Sequence, residues 1–247
     1  MCGRYVLTTT AAAIAREFAA DAGGLFLRPR YNIAPMTDVV VVRNVGGERV
    51  LSSVRWGLVP AWSRDPALAS HLLNARAETI ADKPSFREAV RRRRCVIPAS
   101  GFYEWKRAGS RKQPWYFHPP GRAAAEAAPV EEAPAEAPLL AMAGLWEQWT
   151  HGGGHPLLTC CIVTTAANRL MAPIHDRMPV LLDPQGVDRW LDEATVDPSR
   201  LADLMGPPPE EALAAHPVST AVNNVREDDP RNVLQQEEEA PAQQDLF

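Results

Sequence analysis

Short apolar runs separated by turn residues dominate the pattern of this chain, and longer helical spacing appears in three places. DVVVVRNVGGERVLSSVRWGLVP, residues 38–60, holds two β-branched runs around Gly46-Gly47, the signature of a β-hairpin. CVIP (95–98), GFYEW (101–105), PWYFH (114–118), LLAMAGLWEQW (139–149) and LLTCCIVTT (157–165) read as successive strands, and HPVSTAVNNV (216–225) as a last one. TTTAAAIAREFAADAGG predicts a helix begun by threonine caps, with Ile14 and Phe18 one turn apart and Gly23-Gly24 ending it. KPSFREAVRRRR predicts a second helix, with Ser85 and Glu88 as a capping box and the arginines at its C-terminal end. DPQGVDRWLDEA predicts a third, opened by Asp183 and Pro184. Many antiparallel strands with a few peripheral helices give the α+β class, in one domain with a barrel-like sheet core.

Two segments break the pattern. PPGRAAAEAAPVEEAPAEAP, residues 119–138, is built almost wholly from Ala, Pro and Glu, cannot bury much, and is expected to be a disordered insertion. Strand-like text resumes directly after it, so it interrupts one domain and does not divide two. The expected organisation is therefore a domain over 1–226 and an acidic, mobile tail over 227–247.

The chain has 247 residues, 46% of them hydrophobic, enough for a sizeable core. No apolar run is long enough to cross a bilayer, and MCGRYVLTTTAAA lacks the features of a secretory signal. A cytoplasmic protein is the expectation. Cys2, Cys95, Cys160 and Cys161 show no metal-ligand spacing, and a reducing compartment keeps them as thiols. No metal or other cofactor is called for.

The net charge of −4 hides an asymmetry. Residues 1–120 carry 19 Lys and Arg against 9 Asp and Glu, whereas residues 139–247 carry 6 against 17. The basic first part can attract phosphates although the whole chain is acidic.

Four stretches each place a cation two positions after a reactive or polar residue: Cys2/Arg4 in CGR, Asn74/Arg76 in LLNARAET, Glu104/Lys106 in GFYEWK and His175/Arg177 in APIHDRMPV. In extended chain, residues i and i+2 face the same way, so each candidate group would have a phosphate-binding cation beside it. Each has a plainer alternative: an inert cysteine, a turn asparagine, a structural histidine. Glu104 is harder to explain away. Aromatics lie on both faces of GFYEW, so its carboxylate is expected to be partly desolvated and its pKa raised toward the range useful for proton transfer.

Taken together, these residues resemble the SRAP family, named from "SOS-response-associated peptidase", whose members shield abasic sites in DNA. The resemblance runs through MCGRY, RYNIAP, VRWGLVPAW, NARAET, PSFREAVRRRRCVIPASGFYEW, AGLWE, TTAAN and HDRMPV to AVNNV, over roughly residues 1–225. It implies that Met1 is removed and that the Cys2 amine and thiol close a thiazolidine ring on the aldehyde of an abasic site. Glu104 would then be the general acid/base, His175 would assist sugar opening and reversal, and Asn74 would position the terminus. Arg4, Arg76 and Arg177, with Thr164, would hold phosphates. Trp62, Pro35 and Met36 would form an apolar edge for base stacking, an ordinary core role being the alternative for Trp62.

The expected partner is single-stranded DNA bearing an abasic site, with the protein a monomer, nucleoid-associated when bound to DNA, and no membrane involved. Two other readings stand beside the covalent one. The first is a thiol peptidase using Cys2, Glu104 and His175, at least for removal of its own Met1. The second is a non-covalent reader of modified or single-stranded DNA. Lyase activity is open. The terminal QQDLF, with Gln243, Leu246 and Phe247, resembles the peptide by which bacterial repair proteins bind the sliding clamp, with Gln244 where a leucine is common.

Overall fold

The structure is a computed structural model that describes residues 2–108, 111–122, 137–150 and 155–237. Met1, the middle of the Ala/Pro/Glu insertion and the QQDLF terminus lie outside the described residues. In chain order the elements are β1 (Tyr5–Leu7), α1 (Ala11–Glu17), β2 (Arg30–Ile33), β3 (Asp38–Val45), β4 (Glu48–Trp56), β5 (Asn74–Arg76), α2 (Arg87–Arg92) and β6 (Arg94–Ala99). There follow β7 (Gly101–Ala108), β8 (Arg111–His118), β9 (Leu140–Trp149), β10 (Leu157–Ala166), β11 (Arg177–Pro179), α3 (Pro184–Leu191) and β12 (Ala214–Pro217).

The valine-rich runs form the expected hairpin, β3 and β4, paired from Asp38 opposite Arg55 to Val45 opposite Glu48. β3 continues to β6, β6 to β9 and β9 to β10, all antiparallel, and β10 returns to β4 in parallel at Thr159 and Cys160. Five strands thereby close into a barrel, which leaves those strands no open edge to template aggregation. Its strands are buried on both faces: Val41 and Val42, consecutive residues that point opposite ways, are fully buried, as are Val96, Ala143, Cys161 and Val163. Cys95 and Cys160 are buried free thiols in the same strands.

A second, antiparallel sheet runs β12-β8-β7-β1-β2. Tyr5 of β1 meets Trp56 of β4 edge-on at 5.5 Å, which ties this sheet to the barrel. Gly101 allows its strands to approach closely, because a Cβ there would stand 2.4 Å from the Tyr116 ring and 2.5 Å from the Phe117 carbonyl oxygen.

Several local expectations are corrected. α1 stops at Glu17 and not at Gly23-Gly24. The chain turns through Ala19, and Asp21 is captured by the β3–β4 hairpin, its N–H donating to the Arg49 carbonyl at 2.8 Å. α2 starts at Arg87 without the Ser85 cap, because the Lys83 carbonyl already accepts from the Phe86 and Arg87 N–H groups in the preceding turn. The arginines do serve the helix end. Buried Arg94 donates to the carbonyls of Val90 and Arg91 and reaches those of Trp190 and Asp192 at the end of α3. α3 begins as predicted, with Asp183 accepting from the Gly186 N–H.

HPVSTAVNNV is strand only as far as Pro217 and then curls into a 3₁₀ turn, Thr220–Asn223. Asn32 imposes the curl, its amide donating to the carbonyls of Val222, Asn224 and Glu227. The segment from Glu227, expected to be mobile, is packed through Gln235: Asn232 and Val233 are buried, and Val218 bridges to Gln235. At the base of the insertion, Arg122 is buried and donates to Thr8 Oγ1 and Ser100 Oγ.

Candidate active site

The site forms where the second sheet meets the barrel. β1 pairs with β7 as Tyr5 opposite Phe102 and Val6 opposite Gly101, and the Tyr103 N–H donates to the Arg4 carbonyl at 3.0 Å. This pairing leads the chain ahead of β1 toward Glu104, whose carboxylate acts on the Cys2 thiol. The Cys2 side chain is fully buried.

From the barrel side, β5 runs parallel to β10 with Asn74 beside Ile162. The Trp56 indole N–H holds the Leu73 carbonyl at 3.0 Å and fixes the backbone just ahead of Asn74. Asn74 Nδ2 then donates to the Cys2 carbonyl at 3.1 Å. Its Oδ1 is buried and has no hydrogen-bond partner among the described residues.

β11 lies antiparallel to β10, and His175 precedes it. The Arg177 N–H lies 3.0 Å from His175 Nδ1, with the Arg177 carbonyl at 3.3 Å from the same nitrogen. The Asp176 carboxylate stands 3.1 Å from the same Nδ1. His175 and Glu104 line one cleft of about 450 Å³ together with Trp105, Arg107, Lys112 and Asn223. Cys2, Asn74, Glu104 and His175, far apart in sequence, are thus brought to one place.

Burial sets the electrostatics. Glu104 is 3% exposed, and burial pushes its carboxyl above the ordinary carboxylate range, against the opposing pull of nearby positive charge including His175. Burial pushes the Cys2 thiol strongly up, and the Glu104 carboxylate adds to the rise.

The candidate phosphate holders are placed unequally. Arg76 is exposed beside Thr164 in the β5–β10 register. Arg177 forms a bidentate pair with Glu78, at 2.6 and 2.9 Å, and also donates to the Thr164 carbonyl at 2.7 Å. Arg4 donates to Asn32 Oδ1 at 2.7 Å and to the Val222 carbonyl at 2.9 Å, with its guanidinium 5.9 Å from the centroid of the Trp105 ring. Thr164 is fully buried, with its hydroxyl 3.5 Å from the Ala75 carbonyl and 3.4 Å from the Arg177 guanidinium.

The residues expected to form an apolar edge reach the surface to different degrees. Trp62 is 61% exposed with its indole N–H on the Pro84 carbonyl, which removes the core reading of this residue. Met36 is exposed and left-handed, and its sulfur covers Gly57, where a Cβ would lie 2.8 Å from it. Pro35 is half-buried beside it.

Sequence reasoning missed the residues that act on the arginines. Glu78 was visible inside NARAET and Asn32 inside RYNIAP, yet neither showed its partner. Asn223, which accepts from the Trp105 indole N–H at 2.6 Å, was likewise visible only as part of AVNNV. Among the described residues no group of three or more His, Cys, Asp or Glu is placed to hold a metal, and no helix is long and apolar enough to cross a membrane.

A family model described as SOS response associated peptidase (SRAP) matches residues 1–225. The chain belongs to the SRAP family. Among its SRAP relatives, the abasic site processing protein YoqW of Bacillus subtilis is 37% identical over 235 residues, covering 93% of this chain and 97% of that protein. The abasic site processing protein HMCES of Xenopus tropicalis is 36% identical over 220 residues, covering 82% of this chain and 65% of its own length. A crystal structure of a protein from Bacteroides thetaiotaomicron superposes with a TM-score of 0.81 at 24% identity, over 95% of this chain and all of that one, and shows that the SRAP fold is shared.

Proposed function

We propose that this protein captures abasic sites in single-stranded DNA as a thiazolidine formed by Cys2 after Met1 is removed. The observation that carries this reading is the convergence of Asn74, Glu104 and His175 on Cys2, with Asn74 bonded to the Cys2 carbonyl. Relatives named for abasic site processing support it.

The chemistry balances without a co-reactant. The α-amine, with a reference pKa of about 8, is partly neutral at cellular pH and adds to the aldehyde carbon of the ring-opened sugar. Loss of water gives an imine. Cys2 Sγ then bonds to the imine carbon, and its proton ends on the ring nitrogen. Glu104, raised by burial, exchanges protons with the sugar oxygen and the carbinolamine. His175 assists sugar opening and reversal, and Asn74 orients the terminus.

The state of the sulfur favours aldehyde capture over peptide hydrolysis. A thiol peptidase attacks as thiolate, which a low pKa must supply. Burial and the Glu104 carboxylate hold Cys2 as the thiol, which suits a group that closes second and delivers its own proton. Covalency also meets a need that groove binding does not, because non-specific nucleic-acid affinity is only about 10⁻⁴ to 10⁻⁶ M at physiological salt.

The test is to mix the purified protein with an oligonucleotide carrying one abasic site, then run a denaturing gel and measure intact mass. The expected product is protein lacking Met1 plus DNA minus one water. Cys2→Ser should bind DNA and form no stable adduct. No adduct with the wild type, or an equally stable one with Cys2→Ser, overturns the proposal.

A further inference from the structure

Among the described residues β1 pairs with β7 at its Gly101 end, and the far half of β7 contributes Trp105 and Arg107 to the cleft that holds Glu104 and His175. On this stretch Arg107 stands directly opposite Lys112 of β8. Directly opposed side chains have Cβ atoms about 4.5–5.5 Å apart, and like charges in that arrangement repel. Both side chains are exposed, both line the cleft, and among the described residues neither has a carboxylate partner. The neighbouring cation is handled differently: Lys106, on the other face, lies over the Trp115 ring at 5.6 Å.

Trp105 shares the face of Arg107 and is held there by Asn223 through its indole N–H. A face carrying two unneutralised cations next to a fixed aromatic ring, opening into the cleft of Glu104, matches a polyanion with flat bases. We infer that Arg107 and Lys112 form a phosphodiester subsite that holds the DNA strand beside the lesion. The inference rests on the proposed capture of abasic DNA and deepens it. Three residues of strand separate Glu104 from Arg107, about 10 Å. The phosphate held is therefore further along the strand, and a doubly coordinated phosphate removes the repulsion that the empty pair carries.

The experiment uses the full chain with Cys2→Ser, so that binding is read without crosslinking, and an undamaged single-stranded oligonucleotide as probe. Fluorescence anisotropy across a salt series is compared for the parent, the Arg107→Gln/Lys112→Gln pair and Lys106→Gln. The expected result is a several-fold loss of affinity in the pair, with the slope of log affinity against log salt shallower by about 0.7, one single-strand phosphate. Lys106→Gln should leave the slope unchanged. A scan of neutral methylphosphonate linkages should find one position that weakens the parent and has no effect in the pair.

An unchanged slope in the pair, or a polyglutamate peptide that competes as well per charge as DNA, overturns the subsite. Adduct formation by the Cys2-containing protein on abasic DNA is read separately. Absence of that adduct removes the proposed function and leaves the phosphate contact standing, whereas an intact adduct with an unchanged slope removes only the subsite.

Discussion

Arg177 holds Glu78 in its guanidinium fork, with N–H···O bonds of 2.6 and 2.9 Å, so that the fork already carries a carboxylate. The pair holds the Glu78 carboxyl below the ordinary carboxylate range, chiefly through the Arg177 hydrogen bonds. A carboxylate mimics a phosphate in geometry, so Glu78 competes with DNA for the same fork. Glu78→Gln should raise affinity for single-stranded DNA. A half-exposed ion pair is worth about 0.2–1 kcal/mol, which limits the gain to about fivefold. Titration of an undamaged oligonucleotide by anisotropy checks it, and a loss of affinity would mean that Glu78 orients Arg177 for DNA instead of withholding it.

Glu104 sits in the core at a cost in stability that its chemistry requires. Burial raises its pKa, so at neutral pH the folded state holds a charge it disfavours relative to the unfolded chain. Glu104→Gln should therefore melt higher than the wild type at pH 7.5, by about 2–4 °C for each kcal/mol recovered. The difference should shrink as pH falls toward the ordinary carboxylate range, where the wild-type group takes up its proton. Adduct formation should slow by about 10²- to 10⁴-fold, the usual worth of a general acid/base. A variant that melts lower, or reacts at the wild-type rate, contradicts the assignment.

Glu104 also shows what the sequence made legible. Aromatics on both sides of a strand residue announce desolvation locally, and burial and pKa direction follow. The β3–β4 hairpin and the Asp183-Pro184 helix start were legible for the same reason, since their causes lie within a few residues. The partners of Arg4 and Arg177 were not. Reading i and i+2 as neighbours assigned each arginine a reactive group two positions away, but Asn32 and Glu78 arrive from 28 and 99 residues away. A barrel-like core was expected, but the pairing that closes it was hidden, because the parallel return of β10 to β4 leaves no mark in either strand's own pattern. The Ser85 capping box failed because the turn closed on the Lys83 carbonyl by the Phe86 and Arg87 N–H groups moves the helix start on to Arg87, with Phe86 in the cap position.

A buried histidine pair makes stability depend on pH. His118 Nδ1 donates to the Pro119 carbonyl and His216 Nε2 to the Val233 carbonyl, each at 2.8 Å. His118 Nε2 and His216 Nδ1 then face each other at 3.3 Å as two lone pairs in the neutral state. Burial lowers both pKa values, and each histidine binds protons more readily in the unfolded chain. Stability from this pair is therefore complete above the unfolded value of about 6.5 and is lost as pH falls below it. Raised carboxylates such as Glu104 act in the opposite sense, so the informative quantity is the difference between proteins. The urea midpoint of the wild type should fall more steeply from pH 7.5 to 5.5 than that of His216→Gln. Parallel curves would show that the pair carries no linkage.

Trp62 offers the clearest separation of binding from folding. With 61% of its surface exposed and its indole N–H already on the Pro84 carbonyl, truncation removes little buried contact. Trp62→Ala should therefore change stability by no more than about 0.5 kcal/mol. If bases stack on the ring, the same change should weaken single-stranded DNA binding by about 1–3 kcal/mol, roughly 5- to 150-fold. Trp62→Phe keeps a π-face and should recover most of the loss. Met36, held over Gly57, belongs to the same edge, so Met36→Ala should weaken binding less than Trp62→Ala, having no ring to lose. Anisotropy and thermal melts on the three variants decide it: a melting temperature that falls while affinity holds would make Trp62 a packing residue, and the strand would have to be stacked elsewhere.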